Sequence, residues 1–232
     1  MDKLVGKLLA ELDRLKLRDN TLILFAGDNG TASPYYLRST VHGKALSGHK
    51  GTMEECGALV PCIASWPGTV PSGKESRSLF NLCDFFPTLA EIAGAQLPAG
   101  VTIDGKDFAP QLFGQSEVWP RDWIFVELGR HWYDRDAGWK LNEASKLFDM
   151  RNAPYAEPLI ATNTQDEVAI AARKRLQAIL DQLNPAGGIV DTGDGSGRHA
   201  SNPKRDAKKA ARKKARQASG NNDSENANAS DE

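Results

Sequence analysis

The sequence predicts an α/β fold: part of a helix-covered sheet, then a small antiparallel sheet with a packed helix, then a disordered tail. Three observations carry this. A short, wholly apolar run, Leu22-Ile23-Leu24-Phe25-Ala26, sits between amphipathic helical patterns. Closely spaced strand candidates follow after residue 121. Beyond Val190 no Leu, Ile, Val, Met or aromatic residue remains. The implied boundaries are 1–120 for the α/β portion, 121–184 for the small α+β portion and 185–232 for the tail.

Taken in order, Leu4, Val5, Leu8, Leu9, Leu12 and Leu15 recur at helical spacing with charged residues between them, so residues 4–17 read as an amphipathic helix. Thr21–Ala26 reads as a strand buried on both faces, the pattern of a central strand. It stops at Gly27-Asp28-Asn29-Gly30. Residues 31–56 are polar and aperiodic, longer than a plain connection needs. Residues 58–66 form a second strand candidate, which Pro61 pushes toward an edge or an entry position. Residues 78–93 are helical in pattern and end at Gly94. Pro87 inside that pattern predicts a kink or two short helices. Trp123–Leu128, Gly138–Asn142 and Ser145–Met150 are the later strand candidates. Asp166–Leu183 is a closing amphipathic helix.

Composition excludes several classes. The 232 residues are 40% hydrophobic and 25% charged, with a net charge of −1, as in an ordinary globular protein. No apolar run approaches the ~18–20 residues of a membrane span. The N-terminus shows neither the uncharged core nor the cleavage site of a signal peptide. Three cysteines at irregular spacing, Cys56, Cys62 and Cys83, argue against a disulfide framework. The four histidines do not cluster with them, which argues against zinc; buried apolar thiols are the simpler reading. From Arg198 on there are nine Lys/Arg against five Asp/Glu. This basic tail has no aromatic interleaving and no apolar stripe, so it predicts no specific nucleic-acid contact; contact with an anionic surface and a solvated Ala-rich segment both fit it.

Two loops hold the candidate chemistry. Asp28-Asn29 places a carboxylate beside an amide carbonyl just past a strand, two hard oxygen donors suited to Ca²⁺ or Mg²⁺. Asp-Asn-Gly is also a good turn. Lys50 lies between His49 and Gly51 in the run Gly48–Gly57. Glycine permits close backbone approach, and an ammonium is a compact charge for sulfate or phosphate. A solvated loop lysine has the same pattern.

In order and spacing these segments resemble the sulfatase family. The carriers are Asp28-Asn29-Gly30 after a strand, Lys50-Gly51-Thr52 with Glu54 or Glu55 and Gly57, Val60-Pro61, Trp66-Pro67-Gly68, and Asp84-Phe85-Phe86-Pro87-Thr88-Leu89 running to Ala93-Gly94. Asp104-Gly105, Leu112-Phe113-Gly114 and Lys146–Met150 extend the likeness to about residue 183. The resemblance implies an alkaline-phosphatase-like α/β/α sandwich, present in part, with a smaller C-terminal domain on a four-stranded antiparallel sheet. It implies Asp28 and Asn29 as ligands of a divalent cation, Ca²⁺ with Mg²⁺ as the variant, and Lys50 as the sulfate contact, with His49 a further substrate contact or a loop imidazole bonded to backbone. The substrate would be a sulfated small molecule or glycan.

The nucleophile of that family is a formylglycine made from Cys or Ser in Cys/Ser-x-Pro/Ala-x-Arg. Cys62-Ile63-Ala64-Ser65-Trp66 comes nearest but has Trp66 where Arg is needed, and Cys56 and Cys83 fail. The expectation is a C-terminal sulfatase portion whose formylglycine segment is missing, inactive on its own. Two alternatives stand beside it: a related phosphoryl-transfer hydrolase, and a non-catalytic remnant binding a metal or partner. Compartment is left open.

Overall fold

The computed structural model describes residues 1–185. Met1–Gln182 form one compact unit. The basic tail and its expected disorder lie outside the described residues.

Helix α1 spans Asp2–Arg14. Its leucine spacing gives it an apolar stripe, yet none of its residues is buried, and Leu4 and Leu8 are 63% and 55% exposed. A 3₁₀ turn at Arg18–Asn20 leads into strand β1, Ile23–Ala26. The strand is there, but it is not buried on both faces. All four residues are half-buried, and β1 pairs antiparallel with β4, Cys62–Ser65, in the register Ile23 with Ser65 and Ala26 with Cys62. A continuous apolar run reports apolarity, not which neighbours cover it. Pro61 stands just ahead of β4, and its carbonyl accepts from Gly27 N–H at 3.1 Å. The long stretch between holds a 3₁₀ turn at Tyr35–Arg38, a hairpin of β2, Thr40–Val41, and β3, Lys44–Ala45, and helix α2, Glu55–Ala58.

Helix α3 is shorter than its pattern: a 3₁₀ turn at Leu82–Asp84 precedes Phe85–Ile92. Pro87 falls in the first turn of α3, where an N–H has no intrahelical acceptor, so the expected kink or pair of short helices takes the form of a 3₁₀ turn followed by a short helix that starts just ahead of the proline. Asn81 and Asp84 cap each other's backbone ahead of it: Asn81 N–H donates to Asp84 Oδ2 at 2.8 Å and Cys83 N–H to Asn81 Oδ1 at 3.2 Å. Asp84 is buried because Arg121 Nε reaches its Oδ2 at 2.9 Å. Helix α4 is Ala109–Leu112.

The densest packing lies in the second half. Strands β5, Ile124–Leu128, β6, His131–Arg135, β7, Trp139–Asn142, and β8, Leu147–Asp149, form one antiparallel sheet in chain order. Helix α5, Glu167–Leu183, lays Ala169, Ala172, Leu176 and Leu180 on it, a spacing of three and four that makes one helix face. Trp139, Leu141 and Leu147 meet that face from the sheet. Strand alternation sends Tyr133, Arg135 and Lys140 to the opposite face. Strand β6 escapes the apolar-run criterion because His131, Asp134 and Arg135 interrupt it. Asp134 is fully buried with neither carboxylate oxygen hydrogen-bonded, and burial pushes its pKa up to about 7.

Candidate functional site

The Asp28–Thr31 turn leaves the end of β1. Asp28 is exposed; its Oδ1 accepts from Asn29 N–H at 3.0 Å and its Oδ2 from Asn29 Nδ2 at 2.8 Å. The pair therefore closes a local turn and presents carboxylate oxygens to solvent. Gly30 N–H donates to Gly57 O at 3.1 Å. A Cβ on Gly30 would lie 1.7 Å from Cys56 O, so only glycine lets the two backbones meet.

The lysine loop closes on this turn. Lys50 N–H donates to Thr31 O at 2.9 Å, which places residues 49–52 against 28–31. Thr52 Oγ1 accepts from His49 N–H at 3.0 Å and donates to His49 O at 2.9 Å. Gly51 takes a positive φ of 89°, and a Cβ on Gly57 would stand 2.1 Å from Thr52 O. The glycines at this spacing are thus requirements of a tight loop. Lys50 itself is exposed. His49 is partly buried; its Nδ1 lies 2.9 Å from Lys50 O and its ring sits 4.4 Å from that of Tyr36. Its ring is thereby engaged with backbone and an aromatic neighbour.

The two glutamates of the run differ in their surroundings. Glu54 precedes α2 as its N-cap residue, while Glu55 is buried and paired with Arg135 of β6. Neither Arg135, its cross-strand neighbour Lys140, nor Glu157, which pairs with Lys140, stood out in sequence, because buried charges resemble surface positions until their partners are known.

The chemistry available is that of oxygen donors and an exposed cation, Lys50. Asp28 and Asn29 fit a hard divalent ion in donor type. They supply two side chains, whereas Ca²⁺ takes about six to eight oxygens, and Asn29 turns its amide nitrogen toward Asp28. Among the described residues no group of three or more His, Cys, Asp or Glu side chains gathers for a metal. The thiols are free, but only Cys56 is buried; Cys62 and Cys83 are exposed, against the expectation of three buried ones. Burial raises the pKa of all three, with Glu55 and Glu157 adding to it at Cys56 and Asp84 at Cys83. None is an activated thiolate. Among the described residues no Cys/Ser-x-Pro/Ala-x-Arg run occurs. Outside them, Ser201-Asn202-Pro203-Lys204-Arg205 does satisfy that pattern. This corrects the expectation that the sequence contains none: the serine version lies in the polar stretch, apart from the three cysteines. It follows Asp28 and Lys50 in sequence, the reverse of the order the resemblance implies.

Comparison with known proteins agrees with the motif order. The sulfatase family model matches residues 1–95. Arylsulfatase G of Mus musculus is 38% identical over 128 residues, covering 51% of this chain and 24% of its own length. Steryl-sulfatase of Mus musculus is 34% identical over 149 residues, 60% of this chain and 24% of its own. Arylsulfatase A of Homo sapiens is 38% identical over 125 residues, 54% and 24%. The chain thus spans about a quarter of the length of these relatives. Among solved structures, a 2-O GAG sulfatase superposes with a TM-score of 0.61 at 21% identity, covering 79% of this chain and 41% of that one. A phosphonate monoester hydrolase from Silicibacter pomeroyi gives 0.58 at 20%, covering 86% and 43%. These likenesses carry the fold, an alkaline-phosphatase-like α/β arrangement with a small antiparallel sheet and helix. By family model over residues 1–95 and by relatives over about half of its length, this chain is similar to the sulfatases.

Proposed function

We propose that this chain forms part of a sulfuric ester hydrolase site, with Lys50 as the cation that meets the sulfate oxygens and Asp28 and Asn29 as oxygen donors to a divalent ion, Ca²⁺ or Mg²⁺. The supporting observation is the bond from Lys50 N–H to Thr31 O, which puts the lysine loop on the Asp28–Thr31 turn. An ammonium beside a transferring sulfuryl group stabilises the charge that develops on its oxygens as the ester bond breaks. The divalent ion would supply Lewis-acid polarisation of the same oxygens. Asp28 is exposed, and its carboxylate oxygens face solvent beyond their bonds from Asn29. His49 keeps its Nδ1 toward backbone and orients the loop, with any direct substrate contact left to its other ring nitrogen. The substrate class in this reading is a sulfated small molecule or glycan.

No described residue supplies an activated nucleophile, and the Ser201–Arg205 run follows Lys50 instead of preceding Asp28, so the 232-residue chain, given Ca²⁺ and 4-nitrophenyl sulfate, is expected to show no turnover. It is also expected to be stabilised by inorganic sulfate in a thermal melt, and Lys50→Ala is expected to remove that stabilisation. Lys50-dependent turnover would overturn the reading that the nucleophile is missing from this chain; sulfate stabilisation that survives Lys50→Ala would overturn the role of Lys50. Fold likeness to phosphonate monoester hydrolases keeps one alternative in view. Stronger stabilisation by phenylphosphonate than by sulfate would favour it.

A further inference from the structure

The face of the small sheet turned away from α5 carries four buried charges. Arg135 on β6 and Lys140 on β7 are direct cross-strand partners. Like charges in that register repel, the more so when buried. Two glutamates from elsewhere interleave with them. Glu55, on α2 directly after the lysine loop, pairs with Arg135, and Glu157 pairs with Lys140. Side-chain exposures are 8% for Arg135, 11% for Glu55 and 4% for both Lys140 and Glu157. The network also grips backbone. Lys140 Nζ donates to Met53 O at 3.1 Å, and Glu55 N–H donates to Glu157 Oε1. Lys140 Nζ sits 5.0 Å from the ring centroids of both Tyr133 and Phe148, so two aromatic faces also hold its charge.

What this network holds is the segment that carries Lys50. Cys56 N–H donates to Ser47 O at 3.0 Å, Ser47 N–H to Pro154 O at 2.8 Å, and Gly30 N–H to Gly57 O at 3.1 Å. Residues 53–57 are thus fixed from one side by β6, β7 and the 154–157 segment. On their other side they fix the Asp28–Thr31 turn and the His49–Thr52 turn.

We propose that Arg135, Lys140 and Glu157 are positioning residues, which set the Lys50 loop against the Asp28–Asn29 turn from the far side of Glu55 and Met53. Four buried charges are a poor route to stability alone, since well-packed apolar residues would serve that as well. They do specify one register between two segments, because any slip leaves a charge unpaired. The oxyanion role of Lys50 rests on the function proposed above; its placement does not.

The test is hydrogen exchange on the full chain with Lys140→Met and, as a variant that removes a buried pair together, Glu55→Gln with Arg135→Met. Amides of residues 47–57 are expected to exchange about tenfold faster or more, while those of residues 139–149 and of α5 keep their protection. Lys140→Arg is expected to restore protection, since it keeps the cation. Inorganic sulfate serves as the second probe: its affinity is expected to fall about fivefold or more in Lys140→Met and to recover in Lys140→Arg. Unchanged protection of residues 47–57 overturns the proposal. So does a uniform loss across the sheet and α5 in both variants, which would make the network a global brace. Absence of sulfate binding in the parent chain, with the exchange result as expected, sinks the functional reading and upholds the positioning.

Discussion

Replacing Asp134 with Asn is expected to change how stability depends on pH. Asp134 lies in β6, opposite Phe125 and Leu141, on the face of the sheet that α5 covers. Its carboxyl is fully buried without a hydrogen-bond partner, and burial raises its pKa from 3.8 to about 7. Asp136 adds to the rise, while Arg175 of α5, paired with Asp136, opposes it. Between about pH 4 and pH 7 the folded chain holds a proton that the unfolded chain releases, so the free energy of unfolding falls as pH rises. The carboxyl therefore costs nothing in acid and costs progressively more up to about pH 7, beyond which the penalty is constant. At about 1.4 kcal/mol per pKa unit the full span is on the order of 4 kcal/mol. Urea unfolding at pH 5 and pH 8, followed by tryptophan fluorescence, reads the difference between parent and Asp134→Asn. Other titrating groups cancel in that difference. The variant is expected to gain about 2–3 kcal/mol relative to the parent from pH 5 to pH 8. A difference that is the same at both pH values would refute the argument.

The remaining predictions concern packing and thiols. Gly30→Ala pushes a Cβ to within 1.7 Å of Cys56 O and is expected to cost at least the ~1–3 kcal/mol of overpacking, read as a lower melting temperature. Gly6→Ala, in α1 with nothing within 4 Å, is expected to gain about 0.5–1 kcal/mol in the same assay. Arg121→Met leaves Asp84 buried without its cation and is expected to lose about 3–5 kcal/mol in urea unfolding. Iodoacetamide at neutral pH, with peptide mass mapping, is expected to label Cys62 and Cys83 slowly and Cys56 only after unfolding.

How much of this was legible in the sequence depended on the range of the signal. Helix α5 and strands β5, β7 and β8 were readable because local periodicity and apolar content are enough for them. Strand β6 was not, since Asp134 and Arg135 look like surface residues until a partner face is supplied. The β1 run was read as a strand correctly, but its half-buried antiparallel pairing with β4 depends on residues about forty positions away. Pro87 marked α3, but its meaning turned on where the helix begins: one residue inside a first turn is harmless, one in the middle would have bent it. In the candidate site, Asp28, Asn29 and Lys50 were visible as residue types at a spacing. The contact of their loops runs through backbone groups of Thr31, Gly30 and Gly57, which no side-chain pattern encodes. Glu55 was ambiguous with Glu54 until Arg135 was seen to select it.

The central claim is that the lysine loop and the acid–amide turn act on one ligand. Calorimetric titration of inorganic sulfate into the full chain, with and without Ca²⁺, tests it most directly when run beside Lys50→Ala and Asp28→Ala. Sulfate is predicted to bind more tightly with Ca²⁺ present, Asp28→Ala to erase that gain, and Lys50→Ala to weaken binding whether or not Ca²⁺ is there. Sulfate binding indifferent to both substitutions would contradict the account.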